Sequence, residues 1–425
     1  MLTAWAAFAL AALFAAQAGA QGAPPAPPLV MTLERVLELA EANSPRLRLA
    51  QAQSESAQAS VVVARQYPNP EAELFAGRMR PRIPGAPDGP AGSIGIAQPI
   101  DLPSFREPRI RAAEAGAQSG RFALDDARLA LRAEVRQAWL DLVRRRAELS
   151  LYLDNQSLLE QIRGRIEARV KVGEAARLEL TRAEAEASAA AAASNAARLR
   201  VAQARGALRL LAGGALPESF EFSADIGKPL VDPVEAEGAE RERLRADMLA
   251  RHPLLAQARA ELARSQSRLE SERALRTPAP TLRAGVDQDP ETRQLRIGIG
   301  IPIPLWNQRQ GQVAEALAGT QQAAALLAQR ELELGAALDA ALNRRATAAQ
   351  QIAAYEGGLL RQAEAALRVA EAAYRFGERG FIEVLDAQRV LRTVRLEFLD
   401  ARWELQSALI EIARLRATDL KENRS

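Results

Sequence analysis

The chain has 425 residues, of which 48% are hydrophobic but only 4% aromatic, less aromatic mass than a large globular enzyme buries. Ala, Leu, Arg, Glu and Gln dominate, the composition of long helices and coiled coils. With 56 Lys and Arg against 53 Asp and Glu, the net charge is +3 and the signs are interspersed, which marks solvated helix faces and argues against a nucleic-acid-binding patch. The absence of cysteine and the single histidine, His252, exclude disulfides, thiol chemistry and soft-metal sites.

Residues 1–20, MLTAWAAFALAALFAAQAGA, form a short apolar run ending in Ala18, Gly19 and Ala20. Small residues three and one before a cut suit signal peptidase, so a cleaved signal is expected over 1–20. A membrane anchor is the alternative, but QGAPPAPP follows the run and no charged flank does. Residues 21–31 read as an extended, Pro-rich linker. No later stretch is long and apolar enough for a membrane helix. Entry into a membrane therefore requires strands closed into a barrel.

From Thr32 onward one pattern runs twice. NSPRLRLAQAQ from Asn43 matches RHPLLAQARAE from Arg251, with Pro45 and Pro253 an offset of 208 apart. SIGIAQPIDLPSFREPRIRAAEAG (93–116) matches RIGIGIPIPLWNQRQGQVAEALAG (296–319), with Pro99 and Pro302 an offset of 203 apart. Gly173 and Gly377 follow at 204. Chance similarity between Ala-rich helices would not keep Pro and Gly landmarks in register.

In chain order, the first half predicts a helix from about Leu33 to Arg65, capped by Thr32. Strands near 71–77 and 92–99 follow, joined by the long loop RMRPRIPGAPDGPAG. A helix from about Arg106 to Val172, a turn at Gly173 and a helix from Ala176 to Leu211 complete this half. Residues 213–242 are loop-rich and are expected to pack outside the helices. The second half predicts a helix over 243–275, strands over 279–287 and 293–301 joined by DQDPET, a helix over 309–376, a turn at Gly377 and a helix over 380–416. The first repeat thus spans 32–212, the second 243–416, with a tail over 417–425. His252, in ARHPLLAQ, stands where the first repeat has Ser44; it reads as a capping or loop residue in preference to a catalytic one.

Heptad-like spacing runs through the long helices, at Leu131, Val135, Ala138 and Leu142 and again at Leu359, Gln362, Ala366, Val369 and Ala373. A helix of about 67 residues spans roughly 100 Å, a length no globular core needs. The strands alternate: Leu295, Ile297, Ile299 and Ile301 with Arg296, Gly298 and Gly300, and Leu282, Ala284 and Val286 with Thr281, Arg283 and Gly285. One face is therefore apolar and the other polar. Four strands are too few to close a barrel over a channel, and lipid tolerates no open edge, so several protomers must share one barrel.

The duplication, the element order and the motifs GERGFIEVLDAQRVL, AQPIDLPSFREPRIRAAEA and IPIPLWNQRQGQVAEA resemble the TolC family of outer-membrane channels over about Thr32 to Leu415, and most of all its CzcC-type branch serving heavy-metal efflux. The resemblance implies a mainly α protein with a small β part. Long antiparallel helices would form a periplasmic tunnel, and four strands per protomer would enter a trimeric 12-stranded barrel in the outer membrane. It implies a homotrimer without cofactor or enzymatic activity. Its partners would be a periplasmic adaptor, an inner-membrane RND-type pump and outer-membrane lipid, with no nucleic acid. Many relatives carry a lipidated cysteine after the signal; Gln21 stands there, so no lipid anchor is expected.

Matched motif to motif, Glu383 and Asp386 stand where the family places acidic rings at the periplasmic constriction. Tyr374 and Arg379 stand where it ties neighbouring helices closed, and Glu179 where their acidic partner is expected. Three copies of Glu383 and Asp386 around an axis would repel, raise their own pKa values and attract cations. Gly173 and Gly377 permit the tight helix reversals, and in the family such tips also meet the adaptor. Pro99, Pro302 and Pro304 are expected to end strands and turn the chain into the tunnel helices.

Nothing in the sequence carries catalytic chemistry: it has no phosphate-binding loop, no dinucleotide fingerprint and no nucleophile with a histidine partner. A periplasmic adaptor would show one hairpin between β-domains, where this chain shows two in tandem. A surface coiled coil would not account for the alternating strands. The cargo is expected to be heavy-metal cations by branch resemblance alone, with drugs, other organic compounds or a secreted protein as the alternative.

Overall fold

The computed structural model describes residues 30–231 and 239–418. The expected signal over 1–20, nearly all of the 21–31 linker and most of the 417–425 tail lie outside them.

Each half opens with two helices where the sequence suggests one: α1 (Leu33–Asn43) and α2 (Pro45–Arg65), then α5 (Ala239–Arg251) and α6 (Pro253–Ala274). The breaks fall at Ser44 and His252, both extended at φ −64°. Each precedes a proline, whose ring disfavours the helical conformation in the residue before it while itself suiting a first helical position. Thr32 caps α1, its hydroxyl accepting from the Arg35 N–H at 3.3 Å. His252 caps α6 through Nδ1, which accepts from the Leu254 N–H at 3.2 Å.

The first long helix, α3 (Pro103–Lys171), runs unbroken for 69 residues and is followed by α4 (Arg177–Leu211). Its counterpart does not run unbroken. The helix expected over 309–376 divides into α7 (Gln310–Ala354) and α8 (Leu360–Arg375) around a π-helical turn, Tyr355–Leu359, and α9 (Phe381–Leu415) follows. The turn contains Gly357 and Gly358, which carry no side chain to hold helical geometry. At the offset of 204 the first repeat has Leu153 and Asp154 there, and α3 stays regular.

Four antiparallel strands, β1 (Glu71–Met79), β2 (Gly89–Pro99), β3 (Thr281–Gln288) and β4 (Arg293–Gly300), form one sheet in the order β1-β2-β3-β4. The first hairpin is longer than its Pro/Gly-rich linker suggests, because Arg78 pairs with Pro90 and Met79 with Gly89. Pro99 ends β2, and Pro302 and Pro304 lie between β4 and α7.

The described residues fall into two compact units. One comprises residues up to Asn43 with Val135–Lys228 and Gly358–Trp403; the other comprises Ser44–Glu134, Pro229–Gly357 and the residues from Glu404 onward. In the first unit α4 buries Ala183, Ala187, Ala190, Ser194, Ala197, Val201, Ala204 and Leu208. This alternating four-three spacing is a heptad seam, and its small residues allow close helix approach. The first part of the inter-repeat segment, up to Lys228, packs here on α3, with the Phe222 ring 5.4 Å from Trp139. Glu148 is buried among Arg144, Arg145 and Arg200, at 3.1, 3.1 and 3.7 Å. In the second unit Leu244, Met248, Leu255, Leu334, Leu338 and Ile412 form the core. The sheet also belongs to this unit.

The expected seam of α8 is displaced. Ala363, Leu367, Ala370 and Tyr374 face the unit's own core. Leu359, Gln362, Ala366 and Val369 are exposed, Val369 by 69%. Two heptad stripes run along this helix one residue apart, and the protomer uses the one that meets Phe381 and Val384 of α9.

Candidate functional site

The sheet has two chemically distinct faces. Register places Leu74, Ile94, Val286 and Leu295 in one row across all four strands, and Ala72, Ile96, Ala284 and Ile297 in the next. These apolar side chains are largely exposed, Leu74 by 75% and Ile297 by 79%. The alternate positions form the rows Glu73, Gly95, Gly285 and Arg296, and Phe75, Ser93, Asp287 and Gln294. That face is polar apart from Phe75, and it bears an Arg296–Asp287 ion pair. A globular protein would cover such an apolar face, whereas a barrel presents one to lipid. Strands β1 and β4 are both edges. Among the described residues no helix is long and apolar enough to cross a membrane.

The second candidate region is the pair of helix reversals. At the end of α3 the Gly173 N–H donates to the Val170 carbonyl and the Glu174 N–H to Arg169, at 3.1 and 2.8 Å. At the end of α8 the Gly377 N–H donates to Tyr374 and the Glu378 N–H to Ala373, at 3.2 and 2.9 Å. Both are Schellman caps, and both glycines take the left-handed conformation, at φ +78° and +77°, which such a cap requires and a side chain disfavours. The apolar residues flanking the two turns, Val172 with Leu178 and Phe376 with Ile382, are exposed, Phe376 by 81%.

Just inside the tips, Tyr374 stacks on Phe381 at 5.9 Å, and the Arg169 guanidinium lies 5.3 Å above its ring. The Tyr374 hydroxyl is buried, with Glu179 and Arg169 as its charged neighbours. Burial and then the Glu179 carboxylate push it above the ordinary phenol range, with Arg169 opposing. Sequence reasoning thus finds the Tyr374–Glu179 neighbourhood but misses Arg169. Its signal was the position four residues before Gly173, on the face turned toward α8.

Arg379 is not bonded to Glu179 within the protomer. It precedes α9 and pairs with Glu383 one turn on, at 3.1 Å, because both lie on the same side of that helix start. Glu383 and Asp386 are exposed, their side chains by 47% and 69%. The nearest cation to Asp386 is Arg389, at 3.9 Å, and Arg389 also pairs with Glu186 of α4. The sequence carries no signal for that cross-helix pair, or for Arg395 with Glu364, which joins α9 to α8 at 2.8 Å. Among the described residues no group of three His, Asp or Glu side chains is placed to hold a metal ion.

The architecture has known counterparts. The family model for outer membrane efflux proteins matches residues 36–214 and 244–418, once in each repeat. The cobalt-zinc-cadmium resistance protein CzcC of Cupriavidus metallidurans is 26% identical over 387 residues, 91% of this chain and 90% of that protein. Among solved structures, a membrane protein of Pseudomonas aeruginosa superposes with a TM-score of 0.79 at 23% identity, over 90% of this chain and 93% of its own. The transmembrane channel protein CusC superposes with a TM-score of 0.78 at 19% identity, over 93% and 95%. With both repeats matched, a two-faced open sheet and paired helical tips, the chain belongs to the outer membrane efflux protein family: it is an outer-membrane efflux channel and not an enzyme.

Proposed function

We propose that this channel is the passive exit duct of a tripartite efflux system, formed by three copies of the chain and exporting heavy-metal cations. The sheet is the observation that carries the reading. It has one apolar and one polar face, and both edges are unpaired. Lipid does not tolerate open edges, so β1 of one copy pairs with β4 of the next. Three copies then make a barrel of 12 strands, with Leu74, Ile94, Val286 and Leu295 toward lipid. The exposed stripe of Leu359, at the end of the π-helical turn, with Ala366 and Val369 on α8 provides a seam for a helix of the neighbouring copy.

At the tips, Glu383 and Asp386 form acidic rings around the entrance. Arg379 reaches Glu179 of a neighbouring copy when the entrance is shut, exchanging its Glu383 partner. Tyr374 holds α8 beside Glu179 within each copy. The tips at Gly173 and Gly377 dock the hairpin of a periplasmic adaptor through Val172, Phe376, Leu178 and Ile382. An RND-type pump in the inner membrane supplies the energy. Pro99, Pro302 and Pro304 turn the barrel strands into the tunnel helices. The metal cargo is supported by the likeness to a protein named for cobalt, zinc and cadmium resistance.

The test is a growth-inhibition panel on a strain lacking the gene, against Co, Zn, Cd, Cu and Ni salts and a set of antibiotics and dyes. The deletion is complemented with wild type and with Asp386→Ala. Sensitivity confined to metals is expected. Sensitivity confined to organic compounds sinks the metal assignment and leaves a drug-efflux or secretion duct.

A further inference from the structure

A cavity of about 480 Å³ opens between the last turns of α3 and the facing ends of α8 and α9. Ligand sites commonly fall in this size range. Its floor is apolar: Ile162, Phe381 and Val384, exposed by 8%, 2% and 3%. Its rim carries Arg165 and Arg375, neither with an ion-pair partner among the described residues. Of the remaining charged groups, Arg169 and Glu174 face each other at 3.9 Å, and Glu371 is the one other carboxylate. The rim therefore holds two unpaired guanidiniums against one carboxylate.

We propose that this cavity is a binding site for a small amphipathic organic anion, a monocarboxylate with an aromatic or branched body. The carboxylate lies between Arg165 and Arg375, where charge-assisted hydrogen bonds are strongest. The apolar body rests on Phe381 and Val384. Cations are disfavoured by the surplus positive charge, and inorganic anions gain nothing from the floor. Because α3 belongs to the first repeat and α8 to the second, an occupant ties the two helical hairpins together just inside their tips.

The test is calorimetric titration of the full chain in detergent with benzoate, benzylamine and inorganic phosphate. Benzoate is expected to bind, benzylamine and phosphate not. Replacing both arginines, R165Q with R375Q, is expected to weaken benzoate about tenfold or more, the worth of a charge-assisted contact. R163Q, on α3 outside the cavity, is expected to leave it unchanged. Circular dichroism confirms that each variant is folded. Failure of benzoate to bind overturns the proposal, as does equal binding of benzylamine or phosphate, or benzoate binding that survives the double substitution. Growth on metal salts is not the readout, so failure here leaves the export reading untouched.

Discussion

His252 offers a quantitative test, because it is the chain's single histidine and therefore its single imidazole signal. It caps α6 with Nδ1, and its residue is only 1% exposed. Burial above all, and then Arg414, lower its pKa from 6.5 to about 4, with Glu411 opposing. The folded state thus resists protonation more than the unfolded chain does. The stability this contributes is complete above pH ~6.5 and is lost as pH falls toward ~4. A shift of about 2.5 units corresponds to roughly 3 kcal/mol in full and to about 2 kcal/mol at pH 5. For a chain this long, ~2 kcal/mol lowers the melting temperature by about 2 °C. Protein purified without a histidine tag and labelled at the histidine ring is titrated by NMR, and denaturation is followed at pH 7.5 and 5. The imidazole is expected to titrate near 4. His252→Asn keeps a capping oxygen and should lose this part of the pH dependence, whatever its packing cost at neutral pH. A ring titrating near 6.5, or an unchanged pH slope in His252→Asn, would refute the reasoning.

On the sheet, Ile297→Arg should cost about 2–4 kcal/mol per copy at the lipid face and remove the heat-stable trimer from the membrane fraction on gels, whereas Ser93→Arg on the polar face should leave it intact. Gly377→Ala places a side chain at φ +77° and should destabilise by about 1 kcal/mol in denaturant titrations. Gly164→Ala, within α3 and with open space around its Cβ position, should be neutral or stabilising by a similar amount. Glu148→Ala leaves three arginines around an empty position and should cost about 3 kcal/mol, read by the same titration. Leu359→Glu with Val369→Glu should leave the protomer folded, because both are exposed in it, yet abolish trimers in light scattering.

Local and periodic features were legible in the sequence. The two-residue alternation of Leu295, Ile297 and Ile299 identifies a two-faced strand without any knowledge of its neighbours, because successive side chains must point to opposite faces. Gly173 and Gly377 identify the reversals because a Schellman cap needs a left-handed residue. The nearly constant offset between the Pro and Gly landmarks reveals the duplication for the same reason, since such residues are dictated by backbone geometry. Pro45 and Pro253 also carried their helix breaks in plain view, through the restriction on the residue before proline.

Other features depended on which side chains meet across elements, and a single sequence leaves those choices open. The Gly357–Gly358 pair interrupts α7 and α8, although isolated glycines are tolerated in helices elsewhere, as Gly164 is in α3. On α8 two heptad stripes compete, and only packing against Phe381 and Val384 selects Ala363, Leu367, Ala370 and Tyr374 as the buried one. For Arg379 the resemblance implies Glu179 as partner; within the protomer proximity along the chain gives it to Glu383, while Glu179 sits beside Tyr374. The sequence by itself therefore determined the repeat, the strand faces and the turns, which are consequences of backbone stereochemistry. The tertiary structure decided the helix seam, the kink and the ion pairs, because long flexible charged side chains and near-equivalent apolar stripes acquire a unique partner only when the helices are packed.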